Sequence, residues 1–388
     1  SRIENDFLGS LEIPDDVYYG VQTMRGKQNF HITEMPMSQE PFFAIAFAYV
    51  KKAAALTNKE LGTIPADVAD ALVWACDQLI AGKYNDQFVT DWLQGGAGTS
   101  TNMNCNEVIC NLACEHLGLA KGDKKVSPND HANFGQSTND TYPTALHLSL
   151  ILRSNVLVKA VEDLVASFYK QAEKTKDVLK MGRTHLQDAV PMSFAQEFHG
   201  WGFTINDEIE NLRAAQEHLK IVNLGATAIG TTVTAAPGYP ELAVKNLAEL
   251  TGIDFKNSED LIAATSDCGA YMTLSSAIKG LAVKMTKVCN DIRLLASGPR
   301  CGLKEINLPQ LQPGSSIMPG KVNPVAAEVA NQASFLAIGL DTTVMLAASA
   351  GQLELNVMEP VITYALYTQM KVMTNACDTL RKKLVEGV

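Results

Sequence analysis

The chain has 388 residues, of which 46% are hydrophobic and 19% charged, and it carries a net charge of −10. That acidic balance excludes sequence-independent nucleic-acid binding, which needs a basic surface. No apolar run reaches the ~20 residues of a membrane span, so no membrane partner is expected.

The first residues, 1–6, are polar and lack the apolar core of a secretory signal. Residues 3–19 show no sustained period. Residues 51–62, 68–80 and 104–117 read as ordinary helices, interrupted by glycine and proline. From Pro143 onward the prolines are widely spaced: Pro143 to Pro191, Pro191 to Pro237, Pro240 to Pro299 and Pro324 to Pro360. Each gap can hold a long helix, because proline terminates helices. Periodicity agrees. Leu157, Val161, Leu164 and Phe168 recur at helical spacing, as do Phe198, Ile205, Leu212 and Leu219, with Ile209 between. Leu274, Ile278, Leu281, Met285, Val288, Ile292 and Leu295 form the seam of a left-handed helical bundle.

The expected class is therefore all-α. A small, mostly helical N-terminal domain (1–136) precedes a long-helix bundle domain (137–388). A helix of ~40 residues would run ~60 Å. Such helices are expected to pack side by side in a bundle shared between subunits.

Eight cysteines contain no Cys-x-x-Cys pair. Cys105, Cys110 and Cys114 are the closest together, but they lack the tight spacing and nearby histidine of a metal knuckle. They read as buried core residues, and no metal site is expected. Free thiols without a secretory signal point to a reducing, cytoplasmic compartment.

Four polar segments, each at the edge of a helical stretch, carry the chemistry: 95–104, 129–140, 181–188 and 313–324. Three of them are rich in Ser, Thr and Asn, the segment 181–188 adds one Thr, and together they carry little negative charge. Hydroxyls, amides and backbone N–H groups just before helices receive carboxylates well. Together with two His, one Arg and one Lys they point to a small ligand with more than one carboxylate. In the fourth segment Gly314 and Gly320 bracket Ser315 and Ser316, giving the backbone freedom. The spacing from Gly314 to Lys321, and Val322 after the lysine, exclude a nucleotide-phosphate loop. A reactive serine here has no His–Asp partner in its own stretch. Its alkoxide would have to rest on oriented N–H groups and Lys321.

The string Gly-Ser-Ser-Ile-Met-Pro-Gly-Lys-Val-Asn-Pro, residues 314–324, resembles the signature of the aspartase/fumarase superfamily. The other three segments resemble that superfamily's remaining regions in the same order, over essentially the whole chain. Ala97, Thr138 and the strings at 223–230 and 351–360 resemble its aspartate ammonia-lyase branch more than class II fumarase. His185 occurs in both. The resemblance implies reversible elimination of ammonia from L-aspartate to give fumarate, with malate hydration as the alternative and an inactive structural oligomer as a third reading.

It also implies residue roles. Ser315 is the general base. Thr99, Ser137, Thr138 and Ser316 receive the β-carboxylate. Thr184, Lys321 and Asn323 anchor the α-carboxylate. Asn139 and His185 lie nearest the leaving amine, with His185 binding more than donating a proton. No cofactor is implied. A homotetramer is, with each site assembled from three subunits. Members usually continue into a small C-terminal helical domain, which is expected to be absent from this chain.

Overall fold

The computed structural model describes residues 1–388. An N-terminal hairpin pairs β1 (Arg2–Asp6) antiparallel with β2 (Gly9–Ile13). Helices α1 (Val21–Asn29), α2 (Pro41–Glu60), α3 (Ala66–Ile80) and α4 (Thr99–His116) follow. The long α5 (Thr138–Lys174) leads into a second hairpin, β3 (Leu179–Thr184) with β4 (Gln187–Ser193), and then α6 (Phe194–Leu219). Strand β5 (Ile221–Val222) pairs parallel with β6 (Lys256–Asn257), with α7 (Tyr239–Thr251) between them in sequence. Helices α8 (Leu261–Ser266), α9 (Gly269–Leu295), α10 (Val325–Ser349) and α11 (Glu359–Lys383) complete the order.

The mostly helical class expected from periodicity is the observed one. Sheet is confined to three two-stranded pieces. The hairpin at residues 2–13 lies in the stretch that showed no helical period.

The chain forms two compact units. One gathers residues 1–152, 217–271 and 344–364; the other gathers 153–216, 272–343 and 365–388. The sequence suggests a single cut after residue 136. The units are instead discontinuous, because α5, α6, α9, α10 and α11 each give one part of their length to each unit.

In the second unit the seams fold as their spacing dictates. Leu157, Val161, Leu164 and Phe168 of α5, Phe198, Ile205 and Leu212 of α6, and Leu274 to Leu295 of the α9 seam are all buried. Buried amides cross-link the helices. Gln216 donates to Ser154 Oγ at 2.7 Å, Asn331 to Asn290 Oδ1 at 3.2 Å, and Gln369 to both Ser275 Oγ and the Ala337 carbonyl at 3.0 Å. An apolar seam alone tolerates sliding; amides whose N–H groups meet acceptors in only one alignment fix the register.

By length and composition α5 and α10 could each cross a membrane; 67% of the apolar window in α5 is buried, against 22% in α10. Phe335, Leu336, Met345 and Leu346 of α10 are each about half exposed.

In the first unit Phe43 and Phe47 of α2 meet each other and Tyr142 of α5 edge to face, with ring centroids 5.1 to 6.1 Å apart. Pro143 lies inside α5, not at its start. It has no N–H to give the Asn139 carbonyl one turn back. The buried Asn223 side chain supplies that donor, with Nδ2 at 3.1 Å from the Asn139 carbonyl oxygen. Seven cysteines are buried and Cys301 is exposed. Burial pushes the Cys105 thiol up to about 12, which suits a core residue.

Candidate active site

The first unit carries Thr99, Ser137, Thr138 and Asn139. The glycine-rich segment enters α4 through consecutive left-handed residues, Gly96, Ala97 and Gly98, at φ 95°, 57° and 95°. Gly98 is required by packing as well as by conformation: a Cβ there would lie 2.2 Å from the Tyr142 ring. The turn leaves Thr99, the first residue of α4, exposed at the positive end of an 18-residue helix. Its hydroxyl donates to the Gly96 carbonyl at 2.7 Å.

Ser137 immediately precedes α5 and Thr138 begins it. The Ser137 hydroxyl accepts from the Asn139 N–H at 3.1 Å, and Asp140 accepts from the Ser137 N–H at 2.8 Å and the Gly225 N–H at 2.6 Å. Burial pushes the Asp140 carboxyl up to about 7, against the pull of those donors. Asn139 donates to the Ala228 carbonyl at 2.8 Å. Thr138 Oγ1 accepts from Asn102 Nδ2 at 3.1 Å.

The second unit carries Thr184, His185, Ser315, Ser316, Lys321 and Asn323. The third polar segment is expected at a helix edge, but the structure places it in a hairpin. Thr184 pairs with Gln187 across a two-residue turn of His185 and Leu186. Both turn residues are left-handed, at φ 57° and 59°. That is the backbone twist a tight hairpin wants, normally met by Asn-Gly, because a side chain there is strained. The turn leaves His185 exposed at the hairpin tip. Arg183 is tied back to Glu305 by an ion pair.

The serine loop is closed on itself. The Gly314 N–H donates to the Lys321 carbonyl at 2.9 Å, and Asn323 Nδ2 donates to the Gly314 carbonyl at 2.9 Å. Inside the clasp Ser315 Oγ accepts the N–H groups of Ile317 and Met318, at 3.2 and 3.1 Å. Two backbone donors on one hydroxyl oxygen lower the cost of ionising it, as in an oxyanion hole. Ser316 and Lys321 are exposed beside it. The chain within the clasp turns on Gly320 at φ 79°. Below it, a cavity of about 560 Å³ is lined by Lys304, Asn307, Lys321 and Asn323, among others.

A family profile described as Lyase matches residues 9–339. Aspartate ammonia-lyase of Escherichia coli K12 is 53% identical over 389 residues, covering 100% of this chain and 81% of that protein. That of Helicobacter pylori 26695 is 52% identical, covering 100% and 83%. The chain belongs to the aspartase/fumarase superfamily of lyases. Among solved structures, the Brucella melitensis protein described as fumarate lyase:delta crystallin superposes with a TM-score of 0.97 at 46% identity, covering 100% of this chain and 84% of that one. Class II fumarase of Schistosoma mansoni gives 0.94 at 34% identity, covering 99% and 84%.

For this superfamily member the sequence left several supporting residues unremarked. Asn102, Asn133 and Gln136 lie inside the recognised segments, but only the structure shows them joined by hydrogen bonds to one another or to Lys51. Lys51 lay outside every segment. Its one signal was a lysine on the apolar face of α2, where it is 1% exposed.

Proposed function

We propose that this chain is an aspartate ammonia-lyase, removing ammonia from L-aspartate reversibly to give fumarate. The observation that carries the chemistry is the Ser315 hydroxyl seated on the Ile317 and Met318 N–H groups. The Cβ proton of aspartate leaves only if the resulting charge spreads onto the β-carboxylate. The site must therefore bind that carboxylate more tightly as its charge grows. Ser315, as the alkoxide, takes the Cβ proton. Thr99, Ser137, Thr138 and Ser316 hold the β-carboxylate with neutral donors. Thr184, Lys321 and Asn323 hold the α-carboxylate, and Asn139 and His185 lie toward the amine. The relatives at 51–53% identity over the whole chain support the choice of substrate.

The four segments are assigned to different copies of the chain. A homotetramer, each site built from three subunits, is supported by the uncovered apolar residues of α10 and by Phe203 of α6 and Val283 of α9, each 53% exposed. The reading places the enzyme in the cytoplasm.

Incubation with L-aspartate and, separately, L-malate, following fumarate absorbance, tests the proposal. Fumarate from aspartate is expected. Fumarate from malate alone would move the assignment to hydration, the activity named for the Schistosoma fumarase of similar fold. Product from neither substrate, with the oligomer intact, would leave only a structural role.

A further inference from the structure

Lys51 is the one lysine of α2 whose ammonium is sealed inside the first unit. Its Nζ donates to Gln136 Oε1 at 2.8 Å and to Asn133 Oδ1 at 3.3 Å. No carboxylate pairs with it directly. A buried cation held only by amide oxygens is costly, and a core position needs no such group.

The hydrogen bonds leading away from Lys51 have a direction. Asn133 Oδ1 also accepts from Asn102 Nδ2 at 3.2 Å and from Asn106 Nδ2 at 3.1 Å. Asn106 supplies that bond although its own Oδ1 is buried without a partner. Asn102 Nδ2 donates onward to Thr138 Oγ1 at 3.1 Å, and Asn102 Oδ1 accepts from Thr141 Oγ1 at 3.1 Å. Amides can turn over and hydroxyls can rotate, so most of this network could run either way. An ammonium cannot: it only donates. Lys51 forces the oxygen of Asn133 toward itself. That oxygen forces the nitrogen of Asn102 inward, and Thr138 Oγ1 is then already accepting. The hydroxyl hydrogen of Thr138 is left for a ligand.

We propose that Lys51 is a positioning residue that sets the direction of the Asn133–Asn102–Thr138 hydrogen bonds, so that Thr138 presents a donor to the substrate carboxylate. The assignment rests on Thr138 being a carboxylate receptor, as in the proposed function. Without the cation the Asn133 amide is held only by its own Nδ2 bond to the Gln136 carbonyl at 3.3 Å; once that yields, Asn133 and Asn102 reverse and Thr138 spends its hydrogen on Asn102 Oδ1. Burial lowers the Lys51 ammonium to about 8. The groups facing it are Cys76 of α3, Cys105 and Cys110 of α4, and Asp140 of α5. Burial holds all three thiols protonated well above that range, and the Asp140 carboxyl, held up at about 7, is ionised before Lys51 loses its proton. Deprotonated, Lys51 keeps two N–H groups but gains a lone pair that can accept from Asn133 Nδ2, so the direction is no longer forced.

The test is binding of succinate, a dicarboxylate that does not itself titrate above neutral pH, by calorimetry from pH 6 to 9.5 on the wild type, Lys51→Met and Thr138→Val. The wild-type Kd is expected to rise ~10-fold as pH passes through about 8, the loss of one hydrogen bond to a charged oxygen. Lys51→Met should bind weakly with no such step, and Lys51→Met with Thr138→Val should be no weaker than either single change. A wild-type profile without the step, or penalties that add in full, overturns the role of Lys51. If Lys51→Met does not fold, Thr138→Val decides alone: the step must vanish in it, and a step that persists refutes the relay. Succinate that binds nowhere in the range removes the dicarboxylate reading, and this assignment with it. Binding without a step removes the Lys51 role only.

Discussion

Replacing Asn223 by alanine should destabilise the first unit in a way that a second change repairs. Asn223 Nδ2 donates at 3.1 Å both to the Asn139 carbonyl and to Thr265 Oγ1. The side chain is 3% exposed, so water cannot take its place at no cost. Two lost hydrogen bonds, one leaving the partly buried Asn139 carbonyl without its donor, come to ~2–4 kcal/mol. For a cooperative unit of this size that is a fall of ~5–10 °C in thermal midpoint, read by scanning fluorimetry at fixed protein concentration. The Asn139 carbonyl is short of a donor only because residue 143 is proline. Pro143→Ala restores the helix N–H, so the double variant should recover at least half of the loss. An Asn223→Ala protein that melts with the wild type, or a double variant no better than Asn223→Ala, would refute the account.

Other expectations concern chemistry and pH. Ser315→Ala should lower aspartate turnover by ~10²-fold or more while the oligomer on size exclusion is unchanged; normal turnover removes Ser315 as base. Lys321→Ala should raise the KM for aspartate ~10-fold or more through loss of a charged contact, and an unchanged KM counts against its role as anchor. Burial holds the Glu359 carboxyl up at about 8, above its ordinary 4.5, with the Tyr271 hydroxyl pulling the other way. Between those values the folded chain keeps a proton that the unfolded chain has lost, so stability falls as pH rises from about 4.5 to 8 and changes no further above that. Glu359→Gln should keep the Tyr271 contact and lose less stability than the wild type between pH 5 and pH 8. Parallel melting profiles would show that Glu359 does not carry that proton.

The long helices were legible because a seven-residue seam such as Leu274 to Leu295 has one low-energy burial. The serine loop was legible from composition: glycines around paired serines leave N–H groups to point inward, and Ser315 receives two of them. The hairpin bearing His185 was not. Its turn carries no glycine, and the left-handed backbone of His185 and Leu186 is imposed by the paired strands on either side. Pro143 misled in a smaller way. A proline normally marks a helix start, but an asparagine eighty residues away supplies the missing donor, and sequence proximity cannot show that. Lys51 was hidden for the opposite reason. A lysine followed directly by a second, Lys52, reads as a surface side chain, and only the amide oxygens around it show that it is a buried charge.

The clasp of the serine loop has a consequence for timing. The Gly314 N–H bond to Lys321 and the Asn323 bond back to Gly314 make residues 314–323 a single ring of chain. The proposed base and the proposed anion anchor are therefore one moving part. Whatever displaces the loop carries both away together, and whatever draws Lys321 onto a carboxylate delivers Ser315 in the same motion. Capture of the ligand and delivery of the base are then a single event, and the base arrives with its two N–H donors already in place.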